Sequence, residues 1–333
     1  MFRRPGGDWL ASALVRVPPR LLITGASGFV GRALTLQAAA RGLPLRIALR
    51  RPEVDLPAGF ETARISGLDA DTEWGAALEG VAVVAHCAAR AHVLREVSSD
   101  PLAEFRRVNV EGTLNLARQA VRAGVRRFIF ISSIGVNGSE THLEPFTPED
   151  VAAPSSPYAL SKYEAESALR LLSKETGLEL VVIRPPLIYG PGAKGNFQSM
   201  IRWIERGIPL PLGAIHNKRS LVALDNIVDL ILVCLQHPAA SNQIFLVSDG
   251  EDLSTTELLR RLGQALHKPT RLIPVPAVLL SAGASLIGRS DIAQKLVGSL
   301  QVDDSHTREV LTWSPPISVR EGLRRVAAVN AAP

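Results

Sequence analysis

A chain of 333 residues has room for one large domain or for two unequal lobes sharing a cleft. With 46% hydrophobic and 21% charged residues it has the composition of an ordinary globular protein, which excludes a fibrous or disordered chain. The net charge of +5 is scattered, with no block of like charges, so nucleic acid is not an expected partner; what the surplus allows is a local basic cleft for phosphates.

Residues 1–19 precede the first clear strand and are expected to be a flexible leader. Their apolar part, WLASALV, is short, is followed at once by Arg16 and lacks a small-residue cleavage site, which argues against a signal peptide. Strands are expected at residues 20–24, 45–49, 63–65, 81–86, 127–131 and 180–183. Helices are expected at 28–41, closed by Gly42, at 74–78, at 102–122, closed by Gly124, and at 158–176, capped by Gly177. Strands such as VAVVAH and RFIFI are apolar throughout, the mark of a parallel sheet covered on both faces. The fold class expected is therefore α/β, a doubly wound parallel sheet (Rossmann fold) over residues 20–189. After Arg184 the chain turns loop-rich, with Pro185, Pro186, Gly190, Pro191, Gly192 and Gly195. Residues 190–333 are read as a smaller C-terminal substrate lobe, from which a strand near 243–247 returns to the sheet. The apolar stretch 275–287 is too short to span a bilayer and reads as a buried or interface helix, so no stable membrane insertion is expected. Cys87 and Cys234 both sit in apolar runs, which suits buried free thiols and a cytoplasmic protein.

TGASGFVG, residues 24–31, follows a strand and opens a helix. Gly25 permits the tight turn, Gly28 lets the backbone approach a pyrophosphate, and Gly31 allows close packing of helix on strand. The helix start, with Ser27, Phe29 and Val30, then offers amide donors and a positive dipole to the phosphates. The second strand ends in Arg50 and Arg51 rather than in an acid. Two arginines suit a 2′-phosphate, so NADP(H) is favoured over NAD(H) as cofactor.

Tyr158 and Lys162 are four residues apart on an expected helix and so share a face. An ammonium beside a phenol favours the phenolate, which can exchange a proton with a hydroxyl or carbonyl oxygen near neutral pH. Such a pair beside a nicotinamide suits hydride transfer to or from a secondary alcohol. No metal is expected, since the seven histidines show no ligand spacing.

Six motifs in register carry a resemblance over residues 21–325: TGASGFVG, VVAHCAA (83–89), VNVEGT (108–113), Tyr158-Ala-Leu-Ser-Lys162, Arg184-Pro-Pro-Leu-Ile-Tyr-Gly-Pro-Gly192 and Leu224-Asp225-Asn226. The chain resembles the extended short-chain dehydrogenase/reductases, and among them the nucleotide-sugar epimerase/dehydratase group. The resemblance implies Ser133, rather than Ser132, as the hydroxyl that holds the substrate oxygen, with strand-end capping left to Ser132. It implies Asp69 at the adenine, Ala88 and Asn109 along the cofactor, and Lys162 on the nicotinamide ribose. It also implies Asn196 and Arg219 on the nucleotide part of a UDP-sugar, and a homodimer built on helices 102–122 and 158–176. Sugar 4,6-dehydratases of the group carry an acidic pair after the strand-end hydroxyl, where Ile134 and Gly135 stand here, so elimination is not expected. The reading this leaves first is a 4-keto reductase of UDP-4-keto-6-deoxy-N-acetylhexosamines for surface polysaccharide. Its alternatives are a UDP-sugar 4-epimerase holding NAD and, in a different class, a non-catalytic NADP(H) sensor.

Overall fold

The computed structural model describes residues 20–51, 56–57, 59–91, 100–193, 195–286, 288 and 290–330; the expected leader lies outside the described residues. In chain order the strands are β1 (Leu21–Thr24), β2 (Leu45–Leu49), β3 (Glu61–Arg64), β4 (Val83–His86), β5 (Arg127–Ile131), β6 (Glu179–Arg184), β7 (Leu187–Tyr189), β8 (Leu221–Ala223) and β9 (Gln243–Leu246). Seven of them form one parallel sheet in the order β3-β2-β1-β4-β5-β6-β9. The order reverses between β1 and β4, and in such sheets the crevice at the carboxyl ends of those strands is where ligands bind.

The apolar strands follow from burial on both faces. Leu21, Ile23, Val83, Ala85, Ile129 and Ile131 face a core that includes helix residues Leu34, Ala38, Ile227 and Ile231. Leu22, Val84, Phe128, Phe130, Leu180 and Val182 face a second core with Leu116, Ala120, Ala165 and Leu169. A third core joins the helices Asn196–Glu205, Thr255–Ala265 and Val319–Asn330 with the β7–β8 pair. The Leu224-Asp225-Asn226 motif ties the segment after β9 to the C-terminal helix and the loop before it. Asn226 Nδ2 donates to Asp249 Oδ1 at 2.7 Å and to the Ile317 carbonyl at 2.8 Å, and Arg325 pairs with Asp225 at 2.9 Å.

Arg46 and Arg127 lie in strands and are nonetheless buried. Arg46 donates to the carbonyls of Ala76, Ala77 and Glu79 at the end of a short helix and pairs with Glu61. Arg127 donates to the Cys234 and His237 carbonyls at 2.6 and 3.0 Å and pairs with Glu179. Each guanidinium satisfies the last carbonyls of a helix packed beside its strand.

Three expectations need correction. The span 102–122 is not one uniform α-helix: Pro101–Arg106 and Thr113–Arg122 flank a π-helical turn, Arg107–Gly112. The widened turn carries Asn109 inward and seats Gly112 so tightly that a side chain there would meet the Leu68 carbonyl oxygen at 2.6 Å. Of the two alternatives read for the apolar stretch 275–287, buried or interface, the first is excluded: it forms the helix Ala277–Leu286, no residue of which is buried, and Leu286 is 90% exposed. Ala277 and Leu280 of it pack, partly buried, against the third core. Cys87, expected to be buried, is half-buried, while Cys234 is fully buried and both thiols are free. Among the described residues no helix is long and apolar enough to cross a membrane.

A methyl group on Gly31 would overlap the Gly25 carbonyl oxygen, whereas one on Gly75, at a helix start, meets nothing within 4 Å. Gly31→Ala is expected to lower stability in chemical denaturation by about 1–3 kcal/mol, and Gly75→Ala to leave it level or raise it by roughly 0.5 kcal/mol. Equal effects at the two positions would contradict this packing.

Candidate active site

The glycine turn and the end of β4 press together. Gly25 has φ +71°, and a side chain there would meet the Ala88 backbone nitrogen at 2.7 Å. Gly28 is the N-cap of the helix Phe29–Ala40, in extended conformation and exposed, as is Ser27; Phe29 and Val30 open the helix half-buried. The result is a cradle of bare backbone facing the helix start, which suits a pyrophosphate. Arg50 and Arg51 follow β2 and are both exposed. Asp69 closes its own turn by accepting from the Thr72 hydroxyl at 2.8 Å, with Arg107 3.8 Å from its other oxygen.

Ser133, Tyr158 and Lys162 converge at the carboxyl end of β5. Ser133 stands two residues beyond the strand. The helix Pro157–Thr176 starts on Pro157, capped by Ser156, whose hydroxyl accepts from the Ala159 amide at 3.2 Å, and it ends on Gly177 in the left-handed conformation. Lys162 is only 2% exposed; its Nζ donates to the Ile131 carbonyl at 2.8 Å and lies 4.4 Å from the centre of the Phe130 ring. One ammonium thus ties the helix to the strand end that carries Ser133. Gly135 closes the gap from the other side, since a side chain there would meet Ala159 Cβ at 3.2 Å. Tyr158 has Phe105 edge-on at 6.0 Å, and Phe105 in turn lies under the Arg90 guanidinium at 5.5 Å.

Burial sets the charges. It pushes the Tyr158 phenol up to about 12 and pulls the Lys162 ammonium down to about 8, the latter opposed by the Glu166 carboxylate. At neutral pH the pair is therefore a neutral phenol beside an ammonium. Asn109 accepts from the Arg90 amide at 2.8 Å and donates to the Arg90 carbonyl at 3.1 Å and to Ser161 at 3.0 Å. It braces the loop after β4 against the helix of Tyr158.

Arg219 is largely withdrawn from solvent rather than a loose surface charge. Its backbone pairs with Leu253, its Nη1 donates to the Gly298 carbonyl at 3.1 Å, and burial pulls its guanidinium down, with Glu140 opposing. Asn196 opens the helix Asn196–Glu205, and its side chain lies outside the described residues. Between residues 214–217 and Pro276–Ala277 lies a cavity of about 570 Å³. The described residues hold no cluster of His, Cys, Asp and Glu placed to bind a metal.

Two details run against expectation or escape it. Ser133, not Ser132, makes the local cap, accepting from the Gly135 amide at 3.1 Å, while Ser132 is buried and donates to Glu166. The reason is geometric: at a strand end successive side chains point to opposite faces, and only Ser133 faces the turn. His86, which lies in the VVAHCAA motif with no role assigned from sequence, is buried between Thr24 (2.8 Å) and Thr113 (3.0 Å) and stacked near Phe130. A histidine closing an apolar strand two residues before Ala88 was the available signal.

Residues 21–248 match the NAD dependent epimerase/dehydratase family. The chain is 47% identical to a UDP-glucose 4-epimerase of Vibrio cholerae over 314 residues, covering 94% of this chain and 95% of that protein. It is 30% identical to the N-acetyl-α-D-glucosaminyl-diphospho-ditrans,octacis-undecaprenol 4-epimerase of Escherichia coli O157:H7, over 84% of this chain and 81% of that one. Its fold is also that of the Thermus thermophilus UDP-glucose 4-epimerase, solved in complex with NAD, with a TM-score of 0.76 at 23% identity over 94% of this chain and all of that one.

Burial, with Lys162 adding to it, pulls His86 from its ordinary value of 6.5 down to about 3. The unfolded chain therefore binds a proton near pH 6.5 that the folded chain refuses until about pH 3. Stability falls as pH drops through that window, by about 1 kcal/mol per pH unit where it is steepest. Denaturant titrations from pH 7 to 4 are expected to show a flatter pH dependence for His86→Gln than for the wild type; identical slopes would contradict a buried neutral His86.

Proposed function

Because the chain belongs to the NAD dependent epimerase/dehydratase family, whose enzymes are short-chain dehydrogenase/reductases, we propose that it is a UDP-sugar 4-epimerase working on a tightly held nicotinamide dinucleotide. The observation that carries the choice of subtype is the near-full-length likeness to the Vibrio cholerae UDP-glucose 4-epimerase. This reverses the order read from sequence alone and puts the 4-keto reductase second.

The chain's residues fit a dinucleotide, since the Gly25–Gly31 turn is a cradle that side chains would fill. Gly25, Ser27, Gly28, Phe29, Val30 and Gly31 would hold the pyrophosphate, Asp69 the adenine, Arg50 and Arg51 the adenosine ribose. Ala88, Asn109, Tyr158 and Lys162 would flank the nicotinamide half. A dinucleotide held there would supply a reversible hydride acceptor for the sugar carbon. Ser133 would hold the sugar O4 by its hydroxyl. Tyr158 would take the O4 proton as the alcohol becomes a ketone and return it to O4 when the keto-sugar is reduced from its other face, with the Lys162 ammonium favouring the intervening phenolate. Ile134 and Gly135 offer no acid or base after Ser133, so the reaction stays at one carbinol carbon. Arg219 and Asn196 would take the diphosphate and uracil, as the resemblance implies.

The reductase reading keeps one specific support: Arg50 and Arg51 suit the 2′-phosphate of NADPH, the cofactor such an enzyme would exchange. Both readings place the protein in the cytoplasm. Both also suit a homodimer through the helix Pro157–Thr176, where Tyr163 and Leu171 are exposed at 39% and 59%.

Purified protein incubated with UDP-glucose or UDP-GlcNAc, without added cofactor, is expected to yield the C4 epimer on chromatography. Oxidation of NADPH by a UDP-4-keto-6-deoxyhexosamine, with no epimer formed, would establish the reductase instead. Dinucleotide binding with neither activity would revive the sensor. Tyr158→Phe is expected to lower kcat by about 10³-fold while leaving dinucleotide binding intact; turnover that survives it overturns this chemistry.

A further inference from the structure

One charged cluster takes no part in the chemistry above. Glu166 is 1% exposed and lies on the helix Pro157–Thr176 one turn beyond Lys162, so Tyr158, Lys162 and Glu166 share one face. Its carboxylate accepts from the Ser132 hydroxyl and from Arg184 Nε and Nη2 at 3.0 and 2.6 Å. Arg184, 3% exposed, also donates to Asn137 Oδ1 at 2.9 Å, and Asn137 donates to the Thr147 carbonyl at 2.7 Å. A buried ion pair is weak evidence for stability, because desolvation offsets much of its attraction. The position of this one is informative. It ties together the end of β5, the turn after Ser133, the end of β6 and the catalytic helix, which are the elements that carry Ser133, Tyr158 and Lys162.

We propose that the buried Ser132–Glu166–Arg184 cluster is the positioning device for Lys162: it locks the helix to the strand end and sets a carboxylate behind the ammonium. The proposal rests on the catalytic reading of Tyr158 and Lys162 given above. The other titratable groups facing Lys162 are Tyr158 on its own helix and His86 and Cys87 at the end of β4. Burial keeps all three uncharged through the neutral range, with Tyr158 and Cys87 at about 12 and His86 at about 3. Arg170, 3.7 Å from Glu166, extends the cluster toward solvent. Glu166 is the main charge that holds the Lys162 ammonium up, with Cys87 adding a smaller pull in the same direction. The sign follows: Glu166 holds the ammonium up against desolvation, so its loss lowers the pH at which Lys162 gives up its proton.

The test reads Lys162 directly. The chain has six lysines, so the side-chain signals of ¹³C-lysine-labelled protein are few, and Lys162→Met assigns the one of interest in each background. The wild-type midpoint is expected near 8. Glu166→Gln should lower it by about one pH unit, and the alkaline limb of the kcat profile should move by the same amount. Arg184→Lys keeps the charge and should leave the midpoint in place while lowering Tm. Ser132→Ala keeps both charges but removes the tether; kcat is expected to fall roughly tenfold at constant KM, with the midpoint unmoved, and this arm holds if Glu166→Gln fails to fold. An unmoved midpoint in Glu166→Gln, an equal shift in Arg184→Lys, or an unchanged kcat in Ser132→Ala overturns the proposal. The resonance measurement needs no substrate, so a wild type that turns over no UDP-sugar would count against the proposed function while the cluster is still tested.

Discussion

An ammonium buried at the end of a parallel strand must be satisfied from every side, and the surroundings of Lys162 follow from that demand. Its proton goes to the Ile131 carbonyl, its charge lies over the Phe130 ring, and Glu166 stands one turn away on the same helix. Meeting these contacts fixes the helix Pro157–Thr176 against β5. That in turn sets Tyr158 beside the Ser133 turn, with Gly135 small enough to let the turn and the helix touch. The phenol is neutral and the lysine charged at neutral pH because burial moves both from their ordinary values.

The nucleotide side is built on the opposite device, the removal of side chains. Gly25 and Gly31 let the first turn lie against Ala88 and against its own helix. His86 then fills the space behind them with a neutral ring held by two hydroxyls. Asn109 joins the two halves, and it can do so because the π-turn rotates it inward. Bare backbone on one strand end and a buried charge on another thus face a common crevice, where a dinucleotide and a sugar carbon would meet.

Much of this was legible in the sequence. The strands read as continuous apolar runs because both sheet faces are covered, and the glycine spacing, Tyr158 and Lys162 announce themselves by position. What escaped did so for physical reasons. A π-turn inserts one residue into a helix without disturbing its apolar pattern enough to be seen. Three-residue strands such as β7 and β8 are too short to show a period. Glu166 and Arg184 are 18 residues apart, and only the fold brings them together. Apolar composition over 275–287 said nothing about whether a neighbour covers it, and the helix there stays exposed. Spacing within the motif selects Ser133 over Ser132, and the alternation of side chains at the strand end gives the two hydroxyls different neighbours. Reaction subtype was the weakest reading, because Arg50 and Arg51 are a local signal about one ribose, whereas the likeness to a 4-epimerase extends along nearly the whole chain.

The most direct test follows the hydrogen on the reacting carbon. UDP-glucose carrying deuterium at C4, incubated with the protein and no added cofactor, should give the C4 epimer with the deuterium still at C4, the result expected of a proposed 4-epimerase that would return the hydride from one held nicotinamide. Exchange of that label with solvent, or product formed only as added NADPH is consumed, would contradict the account.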